Sequence, residues 1–225
     1  METVKVTENN EHLGQIVSGS RQEEKNIDHR LEKGRKNLFS LLGAGLSYKC
    51  FLSPVVKLHT YRTYTSPILR SGLSSFSLRS AQIEPLALFQ RKTLKSILKL
   101  SKTAPTPAIH FLTGELPIEG QLHKDVFSLF YCIWINPDIK MYEIVKYLTQ
   151  HSTESSRTWS AHIRHLCRKY EMEDPFVSLC KDPPSKSVYK ELVATRITAY
   201  YEKNLRQAAS TNSQMEYLNV STTGL

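Results

Sequence analysis

The sequence predicts an all-α protein: one or more irregular helical bundles of about seven to eight helices, with at most a short strand remnant near the N-terminus. Three observations carry that expectation. Apolar residues recur at threes and fours from Arg21 to Ala209. Ser-Pro, Thr-Pro and Asp-Pro dipeptides, which suit the first turn of a helix, stand at the heads of several of those segments. No stretch beyond the first few residues alternates with a period of two, and no long internal repeat is present.

In the polar first twenty residues, Leu13 to Val17 offers a single strand end. From Arg21, Ile27, Leu31, Leu38, Leu41 and Leu42 mark a first helix, which Gly43-Ala44-Gly45 stops. Ser53-Pro54 opens a second, with Val55, Leu58, Tyr61 and Thr65 on one face, and Pro67 must end or kink it. Ser80 opens a third that runs to about Leu100 on Ile83, Leu86, Phe89, Leu94, Ile97 and Leu98. Thr106-Pro107 starts a short helix closed by Gly114, and Leu116-Pro117 starts one ending at Asn136-Pro137. Further helices are expected over 138–151, 156–170, from Asp174-Pro175 to about Lys181, and over 185–209. In the last of these Val188, Leu192, Ile197, Tyr200 and Leu205 supply the apolar side. The tail from Ser210 is polar.

Charge divides the chain. Residues 1–112 hold 17 basic and 8 acidic side chains, whereas residues 113–225 hold 13 of each, so the whole net charge of +9 lies in the first half. Such asymmetry fits a polyanionic partner for that half, nucleic acid ahead of an anionic membrane surface. The expected organisation is a polar segment over 1–20, a basic helical domain over 21–112, a charge-balanced helical domain over 113–210 and a polar tail over 211–225. The longest nearly apolar run, Val126 to Ile135, is shorter than the roughly 20 residues a helix needs to cross a bilayer. Met1 is followed by polar residues and not by the apolar segment of a secretory signal. An intracellular location, nucleus or cytoplasm, is expected.

Catalytic constellations are missing. Polymerases, nucleases and phosphatases gather carboxylates on metal ions, and here only Glu171, Glu173 and Asp174 lie close together. Beside Pro175 they read as a helix end and the next helix's cap. Gly43-Ala44-Gly45 lacks the Lys-Ser/Thr of a phosphate loop. Cys50, Cys132, Cys167 and Cys180 form no C-x-x-C pair and fit neither a disulfide framework nor a zinc ribbon; three of them read as buried, inert thiols. His162 and His165 can share a helix face with His151 nearby, but Cys167 points about 200° round from His165 at 100° per residue. No metal, no cofactor and no small-molecule substrate are expected.

The basic side chains are the candidate site. Arg91, Lys92, Lys95, Lys99 and Lys102 have no acid among them. The four lysines step by three, four and three, hence along one face if the helix persists to Lys102. Lys33, Arg35 and Lys36, with Lys25 and Arg30, load the first helix in the same way, and Arg62 joins them on the second. Ladders of this kind suit a phosphate backbone, where each neutralised phosphate releases counterions.

Several segments in order resemble a known family. His12-Leu13-Gly14, the run Arg35 to Leu46 followed by Ser53-Pro54, and Tyr64-Thr65-Ser66-Pro67-Ile68-Leu69-Arg70-Ser71-Gly72-Leu73 resemble the end of the palm and the first thumb helices of non-LTR (LINE-type) retrotransposon reverse transcriptases. Leu88 to Leu94 and Thr113 to Lys124 resemble the family's next two blocks, so the resemblance covers 12–123, and 124–225 resembles its helical linker. Ser71 stands where an aromatic is usual and Ser74 where an acid is usual, which implies degraded packing after the kink. The family's paired catalytic aspartates, endonuclease and Cys/His knuckle have no counterpart here, which implies a truncated or decayed, non-catalytic element. The resemblance further implies thumb helices that grip an RNA–DNA or DNA duplex by its backbone without reading bases. Two other readings stand beside it. One is a helical interaction or scaffold module docking a partner on the Trp159/Ile163/Tyr170 face; the other is an enzyme with a metal at His162 and His165.

Overall fold

Leu, Ile and aromatic residues at helical spacing leave little choice but helix, and helix is what forms. The computed structural model of the chain describes residues 9–12, 14–43, 52–153, 156, 158–181 and 183–211, with the side chains at 9, 180 and 181 outside that description. Apart from one hairpin, the described residues form the helices α1 (Gln22–Leu41), α2 (Pro54–Thr60), α3 (Ser66–Arg70), α4 (Ser80–Ile97), α5 (Thr106–Thr113), α6 (Ile118–Trp134), α7 (Lys140–His151), α8 (Trp159–Lys169), α9 (Pro175–Lys181) and α10 (Lys186–Ser210). The protein is all-α. Its residues divide into two units between Lys99 and Leu100.

In the first unit, β1 (Asn9–His12) and β2 (Gln15–Ser18) pair antiparallel with His12 opposite Gln15, turning at Gly14 with φ of 78°, a conformation open to glycine. The sequence suggested one strand end; its partner is a polar segment with no apolar alternation to betray it. The buried Asn26 of α1 holds the outer edge of β2, accepting from Ile16 N–H at 2.9 Å and donating to Ile16 C=O at 2.8 Å. Ile27 and Leu31 of α1 pack into a core with Leu58, Tyr61, Leu69, Leu73, Leu86 and Leu94. Ser71 is exposed, yet Leu73 beyond it is 1 % exposed, so the chain after α3 packs well despite the two serines.

Pro67 is accommodated by a π-turn. Regular α-helix stops at Thr60, Tyr61–Thr65 widens to π geometry, and α3 restarts with Pro67 in its first turn. The wide turn spares the proline its clash with the carbonyl four residues back and its missing N–H. At Ser53 the expected cap is present, its hydroxyl accepting from Val56 N–H at 3.4 Å. Ser80 is the first residue of α4, as the sequence suggests, and Thr106 is the first helical residue of α5, after the cap Pro105. For α4 the end is tied by Gln82, whose Oε1 accepts from Arg79 N–H at 3.0 Å.

In the second unit α6 and α10 pack side by side, joined by α5, α7, α8 and α9 around Phe127, Phe130, Ile163, Leu166, Phe176 and Ile197. Phe130 meets Phe176 edge to face at 4.9 Å between ring centres, and Tyr131 stacks on Tyr189 at 4.8 Å. Gly114 closes α5 with φ of 61°. Asp174 caps α9 through Phe176 N–H at 2.9 Å. No helix among the described residues is long and apolar enough to cross a membrane.

Candidate nucleic-acid interface

α1 carries the first cluster of basic residues, and most of it has work inside the unit. Arg30, 6 % exposed, donates to the Gly14 carbonyl at 2.6 Å, and burial lowers its pKa. Lys25 reaches Ser18 Oγ at 2.6 Å, and Lys33 pairs with Glu11 at 2.9 Å, so both fasten the hairpin to the helix. Lys33's hydrogen bond and charge hold the Glu11 carboxyl below its usual range. One turn on from Glu32, Lys36 pairs with it at 2.6 Å. Arg35 differs: it is exposed and forms no ion pair among the described residues.

On α4 the ladder is shorter than the spacing suggested. The helix ends at Ile97, and Lys99 has a φ of 55°, in the left-handed region, so the chain leaves the helix axis there. Lys102 sits in a turn belonging to the second unit. The four-lysine face therefore does not exist as one face; only Lys92 and Lys95 share the helix. The cause is local: Leu98 and Leu100 sit only half-buried beside Lys99, and no further apolar turn follows to hold the helix on. Arg91 pairs with Glu84 at 2.5 Å.

Arg35 of α1, Lys57 of α2 and Lys92 of α4 line one cleft of about 340 Å³, together with Phe39, Leu42 and Phe89, and no acidic side chain among the described residues lines it. Lys57 is 4 % exposed. Three helices thus bring three cations to one concavity with a low-dielectric wall, where their field on an anion is stronger than on open surface. Arg62, exposed on the π-turn, and Lys95, half-buried on α4, do not line it. Sequence reading missed Lys57, Phe39 and Phe89. The recoverable signal was spacing, since Phe39 follows Arg35 by four and Phe89 precedes Lys92 by three, which puts each aromatic on its cation's face.

Neither a family model, nor a curated protein, nor a solved structure matches this chain. The site is therefore judged on its own chemistry.

The second unit holds a different polar cluster. Glu119 of α6 accepts from Tyr201 at 2.8 Å and from Lys169 at 3.1 Å. Tyr170 donates to Tyr201 at 3.5 Å, and His123 Nδ1 lies 2.5 Å from the Tyr170 hydroxyl. Burial acts to raise the Glu119 carboxyl, but the Tyr201 hydrogen bond and the Lys169 charge outweigh it and hold it low. His123, 4 % exposed, is pushed down to about 3 by burial and then by the Lys169 charge, and His162 to about 4 by burial and by His165. These are histidines kept neutral inside a network that ties α6, α8 and α10 together.

The metal reading finds no support in the geometry. His165 is exposed, His162 lies edge-on to the His123 ring at 6.2 Å, and His151 stacks on Tyr147. Cys167 turns into the core, and no three His, Cys, Asp or Glu side chains gather among the described residues. The interaction face imagined at Trp159, Ile163 and Tyr170 is core as well, with Ile163 0 % and Tyr170 2 % exposed.

Proposed function

We propose that the first unit binds the sugar–phosphate backbone of nucleic acid without sequence preference, and that the chain is a non-catalytic, thumb-like element of the kind found behind the palm of LINE-type reverse transcriptases. The observation that carries the first part is the acid-free cleft, where Arg35, Lys57 and Lys92 arrive from three separate helices. The one-sided charge supports it: residues 1–99 hold 16 basic and 8 acidic side chains, residues 100–225 hold 14 and 13. Phosphate contacts of this type position a strand and carry no sequence information. The likeness to the thumb supplies the duplex, RNA–DNA or DNA, as partner, and an intracellular site of action goes with it.

Fluorescence anisotropy of a labelled RNA–DNA duplex across a salt series tests the reading. Two neutralised phosphates, at Arg35 and Lys92, would give a log–log slope of about −2, at about −0.9 per phosphate. A flat salt response, or no binding at low salt, overturns it.

A scaffold function is the second reading, favoured by α7. Ile139, Met141, Ile144 and Tyr147 are exposed at 47 %, 47 %, 52 % and 61 %, an apolar surface suited to protein contact. Light scattering showing a monomer at all concentrations would count against self-association through it.

A further inference from the structure

We infer that the cleft between α1 and α4 takes an unpaired strand, with Phe39 as the platform on which a base stacks while Arg35 and Lys92 meet the flanking phosphates. The inference rests on the backbone-binding reading but replaces the duplex that the likeness supplies with a single strand.

Phe39 is 69 % exposed, more than all but one of the exposed large apolar side chains among the described residues. Its neighbourhood is largely apolar, with Leu38, Leu42, Phe89 and Ile97, but cations are set into it. Arg35 lies one turn before it on the same face, and across the cleft Phe89 and Lys92 repeat the pairing on α4. Phe89 is half-buried and packs near Gly34 of α1, leaving Phe39 as the ring that projects. A cation beside an aromatic, twice, in a groove with no acid among its described residues is the kind of surface that single strands use: charge follows the backbone and the ring covers a base.

Other occupants fit worse. A blunt duplex offers phosphates but keeps its base faces inside the stack, so the phenyl ring would stay in water. An apolar peptide would cover the ring but desolvate Arg35 and Lys92 without bringing a counter-charge to either, which is costly.

The full chain is titrated by anisotropy with labelled oligothymidylate, which cannot pair with itself, and with a blunt duplex. Phe39→Ala is expected to weaken oligothymidylate binding about tenfold, the size of one lost base–aromatic stack, with the salt slope unchanged. Blunt-duplex affinity should not move. Phe39→Trp is expected to restore binding and to lose indole fluorescence on adding oligothymidylate. Equal loss on both probes, or no loss on oligothymidylate, overturns the inference and leaves backbone binding standing. If neither probe binds at low salt, both the inference and the reading beneath it fall.

Discussion

Gly34 of α1 lies directly against Leu69 of α3: a Cβ at Gly34 would overlap Leu69 Cδ2 and stand 3.2 Å from its Cγ. Leu69 is 0 % exposed and has no room to swing away. Helix propensity alone would make Gly34→Ala stabilising by up to about 1 kcal/mol. Overpacking a filled core costs about 1–3 kcal/mol, and we expect it to win, lowering stability in urea titration. The double variant with Leu69→Ala should lose less than the sum of the two single changes; strict additivity would mean the two side chains do not meet.

Salt dependence should separate the cleft from the rest of the basic surface. Arg35→Ala and Lys92→Ala are each expected to reduce the log–log slope for duplex binding by about 1. Lys36→Ala and Arg91→Ala remove cations already beside Glu32 and Glu84, so a smaller change is expected. Equal slopes lost at Lys36 and Arg35 would place the interface elsewhere.

Acid should weaken the second unit before its carboxylates titrate. An unfolded histidine takes up its proton near pH ~6.5, whereas His123 and His162 in the fold are held down to about 3 and about 4. Between those limits the unfolded chain binds more protons, so stability is full above pH ~6.5 and drains as pH falls. The slope is at most about 1.4 kcal/mol per pH unit for each histidine. Both tryptophans, Trp134 and Trp159, pack against this core, so their fluorescence reads its urea midpoint. An identical midpoint at pH ~7.5 and ~5 contradicts the expectation.

Cys167 is 3 % exposed, and burial, reinforced by the charge of Asp174, pushes its thiol up to about 12. Alkylation needs the thiolate. Iodoacetamide should leave Cys167 unmodified in the folded protein and label it in urea, as peptide mass mapping would record. Labelling of Cys167 at equal rates with and without urea would show that the core is open.

Helix existence was legible because it follows from local spacing, and helix faces were less so. In α10 Ile197 is core, as the sequence suggests, but Tyr189, Val193 and Tyr201 are buried where Val188, Leu192 and Tyr200 were expected, one residue round, and Val188 is 55 % exposed. Apolar residues occupy both faces there, and the tyrosines win because Tyr131 and the Glu119 network offer them partners. In α7 the same ambiguity leaves Ile144 out and Val145 in. The lone strand end became a hairpin because Asn26 and Arg30, both polar, hold it in place. Of the expected stop at Gly43-Ala44-Gly45, Ala44 and Gly45 lie outside the described residues, as does the thiol at Cys50.

The sequence alone determined the all-α class, the helix starts at Ser53 and Asp174, and the concentration of positive charge in the first half, all of which depend on neighbours within a turn or on simple counting. Tertiary structure decided which cations are available. Lys25, Arg30 and Lys33 are used up by a hairpin that spacing cannot see, the α4 ladder breaks at Lys99, and Arg35, Lys57 and Lys92 meet only because three helices cross. A charge's partner is set by distance through space, and a one-dimensional pattern carries that distance only within a single helix.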